Sequence, residues 1–439
     1  MTLRLDVQWE EAEEVSSPEL AATWARFSIF VGGDCLTVIE DTLASGYRNS
    51  IDVSVYPLAE WVADNWWFLT TPQAGRGAES AGISMPSNRA LNEKRSRYSL
   101  ASAGDGFPWP SLMLLPETGS YLLAQSVHRD RLQRVRFIMS GQYIVDFQET
   151  VYTLERFVDS VVRRLEDHGV EHTRLQVEWL AIQATPEGER DFCHAAAALG
   201  VDPYSANDQL ADQILQASER VQDQQLLLDL LAGVGVSQLA SGIEWLSSGL
   251  RALNARAPGA PSAQLIHLTE TVGAQLAGTH HDLVANVPWE TGYIRGRRTR
   301  DELSLDPTMR FDLSPYVSLL NIDLQSPGLV EGLARTGDVA PVTVTSRRRS
   351  GQSKRFVQAR VLSRAVFEPQ QGSYVITHGG TTRDKIERAF AAELLAPALG
   401  VENLLDNDFS EASRTSVAKH FNVDRRVVDH QIDNQVQLN

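Results

Sequence analysis

The chain has 439 residues and a formal net charge of −16, from 40 Lys and Arg against 56 Asp and Glu. At about 150 residues per domain that length suggests roughly three domains, enough to bury several cores without disulfide or metal staples. A hydrophobic share of 43% excludes disorder, and two cysteines, Cys35 and Cys193, with no CxxC pair exclude a disulfide framework and a thiolate zinc site. The acidic balance opposes a general nucleic-acid coat or a membrane-surface protein, because its long-range field repels phosphates.

The opening MTLRLDVQWEEAEEVSSPEL lacks a basic n-region and an apolar h-region, so no signal peptide is expected there. No apolar run approaches the roughly 18 residues of a membrane span, and a cytoplasmic protein without a membrane partner is expected. Residues 22–56 predict strands: TWARFSIFVGG ends at Gly32-Gly33, and Ile51, Val53 and Val55 alternate with period two. Pro57 opens a helical pattern with Leu58, Trp61, Val62, Trp66 and Leu69 on one side. Trp61, Trp66 and Trp67 are expected to build the core of this α+β domain, which is placed at residues 1–145.

Residues 146–258 predict an all-helical middle domain, with Gly169, Gly200 and the Gly233–Gly235 pair as terminators. FCHAAAALGVDPYS within it has the form of a helix-turn-helix entry. The following helix carries Asp208 and Asp212 and no Lys or Arg before Arg220, so a scaffold is preferred over DNA readout. ARAPGAPSAQ at 255–264 is linker-like and sets the next boundary, before a third domain at 262–439.

Four patterns carry candidate chemistry. His168-Gly-Val-Glu171-His172 matches HxxEH, but Gly169 falls where a helix should end, so a polar loop is expected. His280-His281-Asp282 are adjacent and point in different directions, which is poor ligand geometry. Between Pro341 and Phe367 stand seven cations and no acid: Arg347, Arg348, Arg349, Lys354, Arg355, Arg360 and Arg364. This is the strongest charge anomaly, read either as a solvated loop or as a surface for nucleic acid or an acidic partner. Last, DKIERAFAAELLAP carries Ile386, Ala389, Phe390 and Leu394 at helical spacing, with Asp384 and Glu387 on one side.

Phe390-Ala391-Ala392-Glu393-Leu394-Leu395, Pro397, and the later Val417-Ala418-Lys419-His420-Phe421-Asn422-Val423 resemble the C-terminal part of the ImmA/IrrE family of zinc metallopeptidases. The resemblance is firm over residues 355–435 and looser at 288–303. It implies an α+β, zincin-like C-terminal domain with a winged-helix-like tail, in which a Phe-x-x-Ala-His-Glu-x-Gly-His phrase would bind zinc. Here the corresponding run is Phe356-Val-Gln-Ala359-Arg360-Val361-Leu-Ser-Arg364. Arginine has no lone pair for a metal and Val361 cannot take a proton from water. The third-ligand position falls on Asp384 or Glu387, and an ion pair from one of these to Arg360 or Arg364 is expected in place of the metal. The resemblance thus implies a pseudo-enzyme without cofactor that binds a protein partner in a stress-response, toxin–antitoxin or phage-defence module. Two alternatives stand beside it. One is a DNA-binding regulator using Arg347–Arg355 with Lys419, Arg425 and Arg426. The other is an active zinc peptidase that cleaves a repressor partner, with ligands from His168 and His172 or His280 and His281.

Overall fold

The computed structural model describes residues 1–12, 15–41, 46–72, 96–127, 135–257, 259–278, 287–337, 339–368 and 371–436. It is mixed α+β, with several small sheets and many helices, and divides into two compact units, Met1–Leu215 and Gln216–Asn439.

In the first unit β1 (Leu3–Trp9) pairs antiparallel with β2 (Trp24–Val31), which also carries β3 (Asp34–Cys35) and β6 (Ile51–Ser54) on its other edge. β4 (Ile39–Asp41) lies between β5 (Gly46–Arg48) and β9 (Val135–Phe137). β8 (Ser120–Gln125) lies between β7 (Leu112–Glu117) and β10 (Gly141–Asp146). β1 alternates Leu3, Leu5, Val7 and Trp9, a period-two pattern hidden by the acids around it. The helix predicted from Pro57 is there but breaks at Asn65, giving Tyr56–Asp64 and Trp66–Leu69. Asp146 caps the helix Phe147–Asp167, whose Leu154, Phe157, Val158, Val161 and Leu165 form one buried face. That face joins the same core as Phe27, Trp61 and Trp67.

Every regular element from Phe147 to Asn254 is a helix, yet these helices form no core of their own. Helices Phe147–Asp167, Arg174–Ala184 and Glu187–Ala198 complete the first unit's core. Helices Gln224–Gly233 and Leu239–Asn254 belong to the second unit, packed on its sheet. The three-domain division at 145 and 258 therefore differs from the observed one. Amphipathic helices bury their stripe against whichever sheet offers an apolar face, and composition does not say which. Gly259, from the linker-like stretch, is likewise built into the second unit, its carbonyl accepting from Ala340 N at 2.8 Å.

The second unit holds a four-stranded sheet of order β11 (Ser318–Ile322), β13 (Val342–Ser346), β12 (Val330–Thr336), β14 (Gly372–Thr377). β11 runs parallel to β13, and β12 antiparallel to both neighbours. Leu333 meets Gly249 of helix Leu239–Asn254, while its neighbour Gly332 faces Val357 of helix Gly351–Phe367. Successive residues of a strand point to opposite faces, so helices cover both sides of the sheet. Helix Thr382–Leu395 packs beside Gly351–Phe367 and against Pro288–Glu302. The last contact is close because Gly292 and Gly296 lack side chains. A Cβ at 292 would lie 2.3 Å from Ile386 O, and one at 296 would lie 2.7 Å from Glu393 Cβ.

The tail corrects one expectation. Ser410 caps helix Glu411–Phe421, Asn422 turns the chain at φ 54°, and helix Arg425–Gln431 follows. Among the described residues no strand follows β14, so the helical pair has no wing.

Candidate functional site

The residues singled out in the basic run and in the FAAELL helix meet inside the second unit. Ser350 caps helix Gly351–Phe367 by accepting from Ser353 N, and Thr381 caps helix Thr382–Leu395 by accepting from Asp384 N. Arg360 and Arg364, four apart, share the face of the first helix that meets Asp384 and Glu387, three apart on the second. A third carboxylate comes from the sheet. The β12–β14 register shifts between Val330 and Gly332, leaving Glu331 at an irregularity of the kind that re-aims a side chain.

Arg360 Nη1 donates to Glu331 Oε2 at 2.6 Å and to Thr377 O at 2.8 Å, and its Nη2 to Asp384 Oδ1 at 2.7 Å and Glu387 Oε2 at 2.9 Å. Arg364 donates Nε and Nη2 to Glu387 Oε1 at 3.0 and 2.6 Å, with its guanidinium 3.6 Å above the Tyr374 ring. Asp384 Oδ2 accepts from Gly379 N at 2.9 Å. Arg349 reaches in from the rim, donating to Glu331 Oε1 at 3.1 Å and Glu331 O at 2.6 Å. Three guanidiniums (Arg349, Arg360, Arg364) thus face three carboxylates (Glu331, Asp384, Glu387) and the set is neutral. The Arg360 side chain is wholly buried. Desolvating one ion costs several kcal/mol, and one pair about 4 Å apart returns about 4 kcal/mol at an effective dielectric near 20, so a single partner would not hold it. Three partners do. Arg360 Nε is the one donor of this guanidinium that is buried without a hydrogen-bond partner among the described residues.

The network holds Glu331, Glu387, Arg360 and Arg364 in their charged forms. Burial alone would raise the carboxyls of Glu331 and Glu387, but the arginines overcome it and hold both below the ordinary value. Burial would lower Arg360 and Arg364, and the carboxylates reverse that too, so both rise. At the rim, burial and then Arg388 push His378 below the ordinary imidazole value, although it is half exposed.

Such a set is not one that holds a metal ion. Zinc needs lone-pair donors, and guanidinium offers none. The surrounding carboxylates already accept from arginine, so the donor set does not fit the metal that the family resemblance implies. Val361, to which the resemblance would assign the base position, lies in the apolar core with Phe390 and Leu394. Among the described residues no group of three His, Cys, Asp or Glu side chains is arranged to hold a metal. His168 is the cap of helix Phe147–Asp167, Gly169 and His172 take φ of 68° and 59°, and the HxxEH pattern is a loop. His280, His281 and Asp282 lie outside the described residues.

The basic run is mostly an interior feature. Arg349, Arg360 and Arg364 serve the network, and Arg355 donates to Phe311 O at 2.6 Å. Burial and the neighbouring Arg310 push the Arg355 pKa down to about 10. Arg347 and Arg348 are exposed, Arg347 pairs with Asp323, and Lys354 donates to Arg347 O. In the tail, Arg425 pairs with Glu411 and Asp429, leaving Lys419 and Arg426 exposed without a carboxylate partner among the described residues. Structure therefore brings together Arg360, Arg364, Asp384 and Glu387, and separates them from the outward cations. Sequence reasoning missed Glu331 and Tyr374, and it placed Arg349 on an outward surface rather than on Glu331. A glutamate in EGLART carries no local sign that an irregular register aims it inward. Comparison with protein-family models finds no match, and comparison with curated proteins finds none either.

Proposed function

We propose that the second unit is a non-catalytic relative of the ImmA/IrrE peptidases, and that the protein acts as a protein-interaction or regulatory component of a stress-response, toxin–antitoxin or phage-defence module. The observation that supports this most is the arginine-filled site. Two guanidiniums stand four residues apart where the related phrase has metal-binding imidazoles, and both carboxylates that compete for the third-ligand position bind them. A site whose charges are all matched internally has nothing with which to activate water, so what remains is a rigid domain with surfaces. Protein is preferred to nucleic acid as partner, because four of the seven cations of the basic run are spent inside the unit.

The test is elemental analysis of the full chain purified without chelator, together with a chelator-sensitive protease assay. The reading predicts zinc well below one equivalent and no such activity. One equivalent of zinc, removable together with proteolysis, overturns it in favour of a peptidase with other ligands. Duplex DNA binding that weakens steeply with salt would instead favour the regulator.

A further inference from the structure

A second site lies at the other end of helix Thr382–Leu395. Glu393 stands six residues beyond Glu387, about 9 Å along the axis. Beside it opens a cavity of about 500 Å³, between that helix, Pro288–Glu302, Ala398–Leu405 and Ile432–Val436. Its volume is in the range of small-ligand pockets, about 300–1,000 Å³.

Two opposite charges line it, each more than nine-tenths buried, and they do not pair with each other. Arg300 spends its guanidinium on carbonyls: Nη1 donates to Leu394 O at 2.8 Å, and Nη2 to Asp306 O at 2.6 Å and Met309 O at 2.9 Å. Glu393 Oε2 accepts from Gln431 and Gln435 Nε2, both at 2.9 Å, and from Ala398 N at 3.4 Å. Its Oε1 takes only a 3.4 Å contact from Arg297 Nε among the described residues. Burial lowers the Arg300 pKa, with Glu393 opposing, as expected for two charges that sense but do not neutralise each other. Arg300 is met by neutral carbonyls and Glu393 by amides and one long contact to Arg297, so a ligand bearing both signs would add the opposite charge that each of them lacks at close range. Leu305, Leu399 and Val436 give the remaining wall an apolar character, while Arg297 and Glu402 stand exposed at the mouth.

We propose that this cavity binds a short zwitterionic peptide, its ammonium toward Glu393 and Glu402, its carboxylate toward Arg297 and Arg300, and an apolar side chain against Leu305 and Leu399. Phosphate-bearing ligands are disfavoured by the carboxylates Asp301, Glu393 and Glu402. The inference does not depend on the reading of the arginine network.

The experiment is calorimetric titration of the full chain with leucyl-leucine, with its N-acetyl form and with its C-terminal amide. Leu399→Asp and Arg297→Ala change side chains that are 55% and 54% exposed, so the fold is retained. Saturable one-site binding of the free dipeptide is expected, weakened about tenfold or more by blocking either end or by either substitution. No saturable binding at millimolar dipeptide overturns the proposal. So do equal affinities for free and blocked peptides, or variants that bind like the native chain with an unchanged melting temperature.

Discussion

Phe27 and Arg360 are both among the largest wholly buried side chains, one at the centre of each unit, and they are held in opposite ways. Phe27 lies 6.1 Å from Trp109 and 6.0 Å from Phe157, in a core filled by aromatic and aliphatic groups. Arg360 lies among three carboxylates. Apolar packing is non-directional, and its loss is the transfer and cavity cost of the atoms removed. An ionic centre holds only while every partner is present, since removing one strands the rest.

Matched truncations make the comparison quantitative. Phe27→Ala is expected to cost about 3–5 kcal/mol through its cavity. Arg360→Met, though nearly volume-conserving and apolar, is expected to cost a similar 3–5 kcal/mol, because Glu331, Asp384 and Glu387 are left without their shared cation. Urea unfolding of the two variants checks both values, and an Arg360→Met loss below about 1 kcal/mol would place the network outside the fold's energetics.

Acid separates the units further. Burial, partly offset by Arg174, raises Glu60 and Asp64 in the first unit, so these groups favour the folded state at low pH and oppose it as pH rises through their native values. Glu331 and Glu387 in the second unit are held below the ordinary 4.5. Their contribution is complete above about pH 4.5 and is lost as pH falls through the native values, because there the unfolded chain binds more protons. Seven of the nine tryptophans (Trp9, Trp24, Trp61, Trp66, Trp67, Trp109, Trp179) lie in the first unit. Acid titration should therefore remove helical circular dichroism before it shifts tryptophan emission; coincident transitions would contradict the contrast.

Glycines in the two units behave differently as well. Gly292→Ala should destabilise by about 1–3 kcal/mol, because its Cβ has no room against Ile386 O. Gly188→Ala, with nothing within 4 Å, should stabilise by about 0.4–1 kcal/mol. Thermal melts read both. The smallest effect belongs to the exposed cations: Arg348→Ala is expected within about ±0.5 kcal/mol of the native chain.

What the sequence disclosed follows the range of the interactions involved. Helix Thr382–Leu395 was legible from its stripe, and the meeting of Arg360 and Arg364 with Asp384 and Glu387 from spacing on two helices. Both are local patterns plus one packing contact. The shared core of helix Phe147–Asp167 with β2 was not legible, because an amphipathic face does not name its partner. Glu331 stayed hidden for a related reason: strand register sets its direction. The charge of the basic run was visible, but its inward turn at Arg349 and Arg355 was not, since an arginine's sequence environment does not show whether a carboxylate or a carbonyl awaits it inside.

A double-mutant cycle between Arg360→Met and Asp384→Asn, read by urea unfolding of the full chain, tests the network most directly. A coupling of about 1.5–3 kcal/mol between guanidinium and carboxylate is predicted, with the double variant less damaged than the sum of the singles. Additive losses within about 0.5 kcal/mol would contradict the account, because the two groups would then not be holding each other in place.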